Sequence, residues 1–526
     1  MNLDGWTLEV DWLGKTWTWS GIRASLTERM ELYSDEPTFR SVSVSVIFER
    51  LDVAAQYAAG HRLEGAPARL VLDGVTYLRG KCDTPRFGGL HHPVSFTVRE
   101  VPWDDHGIFP PKHTFYRQIP DLEALDEYFG GMSEFFGGPP PTVEEITQNP
   151  KLGPEFAEAL AIDLGFVSTR AIGYLYPFVF GAAGTTGDGT TDHHHRIPAY
   201  PVVIFDTTLN AEKVLLAGHA VDASTVEIWS RENGSISDRV TFNVQYQEDH
   251  GGRSIAVCDL AGDVTILSHG GSYSTERELF ATWLTDATPG GAGQVIEAVL
   301  AQSTARVDWP RLRGARDWLD RYQLAGVIDE EVTPYEWVAD NVLPLLSASV
   351  VTGRDGIYLA PYHPDGDPLV TLEDGIDVVL DEEIRISGAP VVNELRINFA
   401  RSDWTRKHAR SVTADSSTNA YSALSRQVYG ARGEVITTDI VYDAATADLI
   451  AREKVRAQAF ASRLLTGTMR RQDWHHLRAG DKVAITSDAL SLDGQECTIT
   501  ALTLDGGPLI DVEFAVLEDP IRTGYN

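Results

Sequence analysis

The run Asp192-His193-His194-His195 contains the residue types in this chain that are best suited to bind a metal ion. Imidazole nitrogens and carboxylate oxygens are common ligands of zinc and of other transition metals. Adjacent side chains of an extended segment point to opposite faces, however, so three consecutive histidines seldom bind one ion together. The surrounding Gly, Thr and Asp residues indicate a solvated loop. A metal site there would need further ligands from elsewhere in the chain.

Other motifs for catalysis or cofactor binding are incomplete. The segment 362–367 (YHPDGD) resembles part of a calcium loop but lacks its alternating acids and its distant glutamate. The glycine-rich segment 181–189 lacks the Lys-Ser/Thr ending of a phosphate-binding loop, and neither GxSxG nor HExxH occurs. Acidic pairs such as Asp104/Asp105 are expected by chance among 76 acidic residues. We therefore assign no catalytic or cofactor-binding residue and no cofactor, and predict that the protein is not an enzyme.

The three cysteines lie far apart in the sequence, each within an apolar or alternating stretch. Such surroundings are typical of buried strand cysteines. We therefore expect neither a disulfide framework nor a cysteine-based zinc site. These residues are Cys82, Cys258 and Cys497.

Length and composition indicate several globular domains. The chain has 526 residues, 43% of them hydrophobic, and no stretch approaches the ~20 apolar residues of a membrane span. The first residues carry no early basic cluster, so we expect no signal peptide, no membrane insertion and synthesis in the cytoplasm of the host. The net charge of −32 argues against nucleic-acid binding. It serves solubility, or it lines a channel through which DNA slides without adhering.

Alternating hydrophobic residues predict a β-domain over residues 1–106. A hairpin with tryptophans on one face is expected over 6–19, and a second hairpin over 68–78 turns at Asp73-Gly74. Single strands are expected over 41–48 and 94–101, where valines alternate with polar residues.

The middle of the chain changes character. Residues 107–210, rich in Pro, Gly and aromatics, are predicted to be an inserted or connecting α/β domain. It would contain a strand ending at Phe180 whose partner is expected at 200–205. Short turn-bounded strands over 211–290 predict a sandwich-like segment that could complete a barrel.

Helical patterns dominate residues 291–390, a helical or mixed domain. Helices are expected at 294–300 and 309–322, and a third begins with a predicted capping box from Thr333 to Glu336. Residues 391–526 are predicted to be a C-terminal β-barrel domain with one long helix, 443–466, capped by Asp443 and followed by Gly467. The predicted fold class is α+β, β-rich and multi-domain.

Several segments together resemble the tail hub proteins (baseplate hub or tail tip) of long-tailed bacteriophages and gene transfer agents. At the C-terminus the pattern is A-x-x-x-A-S-R-L-L, then L-R-A-G-D-K-V-A-I-T and a last hairpin. The histidine run and the Pro-rich residues 137–142 have no place in this resemblance. The segments that carry it are 94–98, 102–104, 322–324, 333–337, 343–346, 356–358, 457–465, 477–486 and 497–517.

The resemblance implies a structural virion protein at the distal end of the tail. Such hubs form homotrimers in which each subunit has two tail-tube-like β-barrels, and the ring joins the sixfold tube to the threefold tip. Implied partners are the distal tail protein or tail tube, the C-terminus of the tape-measure protein, and tail fibre or tip proteins. DNA would only pass through the lumen during genome ejection.

Two other functions stay open on the sequence. A β-rich carbohydrate-acting hydrolase would need a cleft with paired carboxylates. A carbohydrate-binding adhesin of the tail tip would use exposed members of the twelve tryptophans. The alternation around Trp6, Trp12, Trp17 and Trp19 favours core packing for these four instead.

Overall fold

The computed structural model describes the N-terminal region, a set of central strands, and most of the chain from residue 290 onward. For residues 41–46 and for the strands between 200 and 282, it describes the backbone. The described residues are 5–22, 24–32, 41–46, 55–87, 94–100, 178–181, 200–201, 203–208, 211–217, 227–232, 235–240, 242–250, 253–260, 277–282, 290–303, 306–362, 364, 366–402 and 407–517.

The N-terminal strands are β1 (Trp6–Trp12), β2 (Lys15–Ile22), β3 (Leu26–Arg29), β4 (Ser41–Val46), β5 (Pro67–Leu72), β6 (Val75–Cys82), β7 (Arg86–Phe87) and β8 (Val94–Glu100). All except β3 form one antiparallel sheet in the order β2-β1-β5-β6-β8-β4, with β7 beside β8. Both predicted hairpins are confirmed, and their turns Leu13-Gly14 and Asp73-Gly74 have the positive φ values of a tight hairpin turn. The edge strands β2 and β4 approach each other, so the sheet is curled.

The central strands are β9 (Phe178–Phe180), β10 (Tyr200–Pro201), β11 (Val203–Thr208), β12 (Ala211–Ala217), β13 (Glu227–Glu232), β14 (Ser235–Val240), β15 (Phe242–His250), β16 (Arg253–Leu260) and β17 (Arg277–Thr282). Two four-stranded sheets result, β10-β17-β13-β14 and β11-β12-β16-β15. The predicted partner of β9 was wrong. Strand β9 pairs instead with residues 326–328, far along the chain. A short apolar strand can pair with any strand edge that lies beside it in the hydrophobic core.

From residue 290 onward, the helices described are α1 (Ala292–Leu300), α2 (Trp309–Gly314), α3 (Arg316–Leu319), α4 (Pro334–Trp337), α5 (Ala420–Tyr429), α6 (Ala444–Gln458) and α7 (Arg471–Trp474). The helix expected over 309–322 is interrupted after Gly314, a residue that weakens helices, and α3 ends at Leu319. The expected capping box is not formed, since the Thr333 side chain accepts no hydrogen bond from the helix. A π-helical turn over 338–342 and a 3-10 turn over 343–345 continue α4.

The remaining strands are β18 (Gly326–Ile328), β19 (Ala348–Gly353), β20 (Gly356–Pro361), β21 (Thr371–Glu373), β22 (Val378–Ile386), β23 (Glu394–Ser402), β24 (Lys407–Ala414), β25 (Gly433–Thr437), β26 (Arg463–Arg470), β27 (Lys482–Ser487), β28 (Leu492–Leu504) and β29 (Leu509–Val516). A second curled sheet follows the order β21-β27-β28-β29-β26-β22, and β3 adds to it beside β28. A smaller sheet has the order β24-β23-β25.

The long helix predicted over 443–466 is shorter than expected. Its start is confirmed, because the Asp443 side chain accepts a hydrogen bond from the Thr446 amide at 2.8 Å. The helix ends at Gln458, and Leu464 and Leu465 lie on β26, paired with both β22 and β29. Gly467 does not cap the helix. A Cβ there would lie 2.6 Å from the Val379 carbonyl oxygen, so glycine allows β22 to approach β26 closely.

The two seven-stranded sheets share one hydrophobic core. Trp6 is fully buried, and its ring lies against Gly506 in the β28–β29 turn of the other sheet. Its indole nitrogen donates to the Ala24 carbonyl at 2.8 Å, just before β3. Strand β3 then pairs with β28 from Leu26↔Leu504 to Arg29↔Ala501. Residues close to the N-terminus therefore complete the C-terminal sheet.

A second core joins the helices to the smaller sheet. Phe399 on β23 is 1% exposed, and α6 packs over β23 and β24. Phe180 on β9 meets Trp337 edge-on, with ring centroids 5.5 Å apart. The central strand β9 is thus attached to the helical part of the chain.

The fold is β-rich α+β with two curled seven-stranded sheets, and the predicted fold class is confirmed. The domain boundaries remain predictions, although β3, β21 and β22 all belong to the C-terminal sheet. None of the helices in the described parts of the chain has the length and apolar content needed to span a lipid bilayer.

We predict that Trp6→Ala destabilises the shared core by about 3–5 kcal/mol, because it removes a fully buried indole and the hydrogen bond to Ala24. Urea unfolding monitored by tryptophan fluorescence measures the loss. Val75→Ala, at a side chain 43% exposed on the neighbouring hairpin, is the matched control and should change stability by less than about 0.5 kcal/mol. Equal effects of the two substitutions would contradict the shared core.

Candidate functional site

The turn Arg478-Ala479-Gly480-Asp481 collects buried polar contacts from several separate elements. Gly480 has φ 88°, and a Cβ there would lie 2.4 Å from the Cβ of Ala360 on β20, so only glycine fits without displacement. The Gly480 amide donates to the Ile499 carbonyl on β28 at 2.7 Å. The turn is therefore held between the β19–β20 hairpin and the C-terminal sheet. We call it, with its partners Glu28, Arg311 and Tyr358, the polar junction.

Asp481 links the turn to helix α2. One carboxylate oxygen accepts from Arg311 Nη1 at 2.8 Å, and the other lies 3.4 Å from Arg311 Nη2 and 2.8 Å from the Arg478 amide. This is a two-pronged arginine–carboxylate pair with the carboxylate 8% exposed. Burial works to lower the pKa of Arg311, but the hydrogen bond to Asp481 and its charge outweigh burial and raise that pKa. Arg311 therefore stays charged.

Glu28 links the turn to β3. Its Oε1 accepts from the Tyr358 hydroxyl at 2.9 Å and from the Ala479 amide at 3.1 Å. The same hydroxyl lies 2.7 Å from the Ala479 carbonyl, so its single proton is shared between two acceptors. Burial, and then the charge of Glu28, raise the pKa of Tyr358 well above its ordinary value, so the phenol stays neutral and donates. The Arg311 guanidinium lies 5.1 Å from the centre of the Tyr358 ring.

Charges within the polar junction balance. Glu28, Arg478 and Asp481 are all less than 9% exposed, and Arg311 supplies the second positive charge. Arg478 Nη1 also donates to the carbonyls of Leu477 and His475, at 2.7 and 3.0 Å. Buried charges persist only when they are paired and hydrogen-bonded, as they are here. The arrangement therefore fixes the relative positions of β3, α2, the β19–β20 hairpin and the turn.

The groups of the polar junction are suited to holding elements together. A guanidinium does not release its proton in proteins, and the phenol of Tyr358 is buried in its neutral form. A cavity of about 20 Å³ lies beside Glu28 and Arg478, which is space for a single water molecule. It is too small for an organic substrate.

The metal-binding candidates from the sequence are not tested. Asp192, His193, His194 and His195 lie outside the described residues, as do two residues of the 362–367 segment. Within the residues that the structure describes, no group of three His, Cys, Asp or Glu side chains is placed to hold an ion.

The cysteines and N-terminal tryptophans whose side chains are described are buried, as the sequence predicts. Cys82 and Cys497 are buried free thiols, and the side chain of Cys258 is not described. Trp6, Trp12, Trp17 and Trp19 are 0–9% exposed, which confirms that they pack in the core.

Sequence reasoning singled out the segment 477–486 but not its partners. The sequence does contain one indication that Glu28 is a buried, functional residue. Leu26 on β3 and Met30 just after it are buried, and Glu28 occupies the buried position between them. A carboxylate at such a position predicts a buried, paired charge. Nothing in the sequence indicates that its partners would be Tyr358 and the Ala479 amide, more than 300 residues away.

Comparison with known proteins finds similarity in structure alone. No protein-family description matches the chain, and no curated protein matches it in sequence. A tail protein from Neisseria meningitidis MC58 is similar over 98% of both chains, with 11% identity and a TM-score of 0.40. The 43 kDa tail protein of prophage MuSo2 from Shewanella oneidensis is similar over 97% of both chains, with 10% identity and a TM-score of 0.37.

A chain from the virion of a native gene transfer agent particle is similar over 67% of this chain and 87% of that one, with 13% identity and a TM-score of 0.39. All three are named as tail proteins or as part of a virion. Function has to be inferred from the residues of this chain.

We predict that Tyr358→Phe loosens the turn at 478–481. The phenylalanine keeps the packed ring but leaves the buried Ala479 carbonyl without its donor, at a cost of about 1–3 kcal/mol. Hydrogen exchange measured on peptides covering the turn should accelerate about 5- to 150-fold. Tyr429→Phe, on α5 outside the junction, is the matched control. Unchanged exchange in the Tyr358 variant would mean that the hydroxyl does not hold the turn.

We also predict that Cys82 and Cys497 resist alkylation in the folded protein. Burial raises the pKa of each thiol to about 12. At pH 8, about one molecule in ten thousand then carries the reactive thiolate. Iodoacetamide labelling followed by peptide mass spectrometry reads each site separately, including Cys258, and denaturation in urea should expose both thiols. Rapid native labelling of either one would contradict its burial.

Proposed function

We propose that this chain is a non-catalytic structural protein of a phage-like tail, a hub whose three copies form a ring. The ring joins the sixfold tail tube, or a distal tail ring, to the threefold tip and leaves a channel for DNA. The observation that carries this proposal is the pair of curled seven-stranded sheets within one chain. Each sheet has six strands in one path and a seventh strand added beside it.

Two similar sheets in each chain would allow one ring to join a sixfold structure to a threefold structure. A threefold ring of such chains presents sheets in a sixfold arrangement, so one side can match a sixfold tube while the ring itself stays threefold. The match requires the two sheets to keep a constant relative position. Their shared core, the pairing of β3 with β28, and the contacts of Glu28 all support a rigid connection.

The charge of the chain suits a DNA channel. The net charge is −32, and an acidic lumen repels the phosphate backbone, so DNA passes without adhering. The partners in this proposal are the distal tail protein or tail tube, the end of the tape-measure protein, and fibre or tip proteins.

The carbohydrate-based alternatives receive no support from the described residues. Sugar stacking needs exposed aromatic rings, whereas the four N-terminal tryptophans are buried. The polar junction offers no cleft with paired carboxylates, since its acids are paired with arginine, tyrosine and backbone amides. A structural role is therefore the better proposal.

The test is the position and number of copies in tails of the particle that carries the protein. We expect immunogold label at the distal end of the tail, and three copies per particle by quantitative mass spectrometry. In a second arm, the purified protein should not bind duplex DNA at about 150 mM salt at micromolar concentration, where non-specific DNA-binding proteins begin to bind. Label along the whole tail would overturn the hub assignment, and tight DNA binding would overturn the acidic channel.

A further inference from the structure

The last part of strand β22 is exposed on both of its faces. Successive side chains of a strand point to opposite faces, and all six residues from Asp381 to Ile386 are exposed. Among them, Ile384 is 36% exposed and Ile386 is 62% exposed. Strand β22 is also the end strand of its sheet, with no strand on its outer side among the described ones. Exposed apolar groups on an uncovered strand indicate a contact with another protein.

The same part of β22 carries unpaired acidic charge. A bulge opposite Thr466 of β26 contains Asp381, Glu382 and Glu383. The Thr466 hydroxyl donates to Asp381 and accepts from Arg385 at 3.3 Å. Neither Glu382 nor Glu383 has a hydrogen bond or an ion pair among the described residues. Charge on an end strand discourages pairing with strands that do not match it, so a partner of β22 needs a positive charge beside the bulge.

Strand β25 presents a second uncovered edge. It is the end strand of the sheet β24-β23-β25, and four of its five residues are exposed. Val435 is 61% exposed, on the opposite side of the strand from the buried Ile436. Arg432 directly precedes the strand and is exposed, and its guanidinium has no hydrogen bond or ion pair among the described residues. This edge therefore combines an exposed apolar side chain with an unpaired positive charge.

We infer that β22 of one copy of this chain lies parallel to β25 of a second copy, with Glu383 beside Arg432. Three residues further along both strands, Ile386 then lies beside Val435. The contact gives an unpaired carboxylate an opposite charge and removes two exposed apolar side chains from water. Each end strand also gains a neighbour for its outer backbone groups, as an added strand does in other assemblies.

The order of residues on the two strands favours this register over its neighbours. Ile384 lies beside Gly433, which has no side chain to oppose it, and Glu434 lies beside Arg385 rather than beside an acid. Arg385 already has a hydrogen bond, so the contact does not require its charge. A shift of one residue in either direction would instead place an isoleucine beside Glu434, where the carboxylate would be desolvated without a partner.

The two edges belong to different sheets, so the contact joins unlike surfaces of neighbouring copies. Each copy offers β22 to one neighbour and receives β22 of the other neighbour along its β25. Contacts of this kind close into a ring when the rotation between copies permits. The inference rests on the proposed trimeric hub and deepens it, because it names the strands that join the three copies.

A second copy fits these edges better than DNA does. The acidic bulge of β22 repels phosphate groups, and DNA offers nothing to cover Ile386 and Val435. A second copy satisfies both edges at once, through opposite charge and through burial of the exposed apolar groups.

The first experiment is sedimentation of the full-length protein at micromolar concentration. We expect the wild type to form trimers. Glu383→Arg and Arg432→Glu should each weaken association about 10- to 100-fold, because each places like charges side by side. The variant with both substitutions restores opposite charges and should form trimers again. A wild type that stays monomeric, or a folded double variant that stays as weak as the single variants, would overturn the contact.

The control variant is Asp493→Arg, the same change of charge as Glu383→Arg at an exposed residue on β28. It should form trimers like the wild type. Circular dichroism and thermal melting verify that every variant is folded, and Glu383→Gln and Arg432→Gln replace any reversed variant that is not. These neutral variants should weaken association about two- to fivefold, and unchanged association in both would contradict the contact.

The second experiment reads the register through a disulfide. In Ile386→Cys/Val435→Cys, the new cysteines of neighbouring copies lie side by side, within the Cα separation of about 7 Å that a disulfide requires. Mild oxidation should link two and three chains and no more, because the ring is closed, with the wild type as background. Glu382→Cys/Val435→Cys is four residues out of register, about 13 Å, and should link poorly. Equal linking in the two variants, or products of more than three chains, would exclude this arrangement.

Failure of this contact can be distinguished from failure of the hub. Trimers that persist in both reversed variants, with no disulfide in the cysteine variant, overturn the contact and leave the hub proposal standing. A copy number other than three on particles overturns the hub itself.

Discussion

Strand Leu26–Arg29 pairs with β28 rather than with the strands that flank it in the sequence, and much of the architecture depends on that pairing. It carries the chain from the first curled sheet into the second near the N-terminus. The apolar faces of both sheets are therefore buried in one core. Two sheets joined in this way move together, because separating them would expose Trp6 and remove a strand from the second sheet.

Glu28 makes this pairing specific. A buried carboxylate is costly unless its charge is compensated, so the strand is stable in the one position where Tyr358 and the Ala479 amide reach its oxygen. The neighbouring Arg311–Asp481 pair anchors helix α2 to the same turn. Buried ion pairs add little net stability compared with apolar packing, but breaking one is expensive. The polar junction thus selects one geometry among the many that hydrophobic burial alone would permit.

Rigid packing holds the edges of the two curled sheets at constant positions, as the proposed assembly requires. The first sheet brings its own edges together, since β2 approaches β4. In the second sheet the outer edge of β22 has no neighbour among the described strands, and acidic and apolar side chains are exposed on it. Open edges in soluble proteins are normally covered or protected by charge.

Local features of the fold were determined by the sequence alone. The Asp73-Gly74 turn, the Asp443 cap and the buried alternation around Trp6 depend on residues a few positions apart, and all three were predicted. The end of α6 and the contacts of Glu28 were not predicted from the sequence. Leu464 and Leu465 suit a helical stripe as well as a strand, and only pairing with β22 and β29 decides between them. Likewise, Glu28 meets its partners because of pairings between residues hundreds of positions apart, which no local pattern encodes.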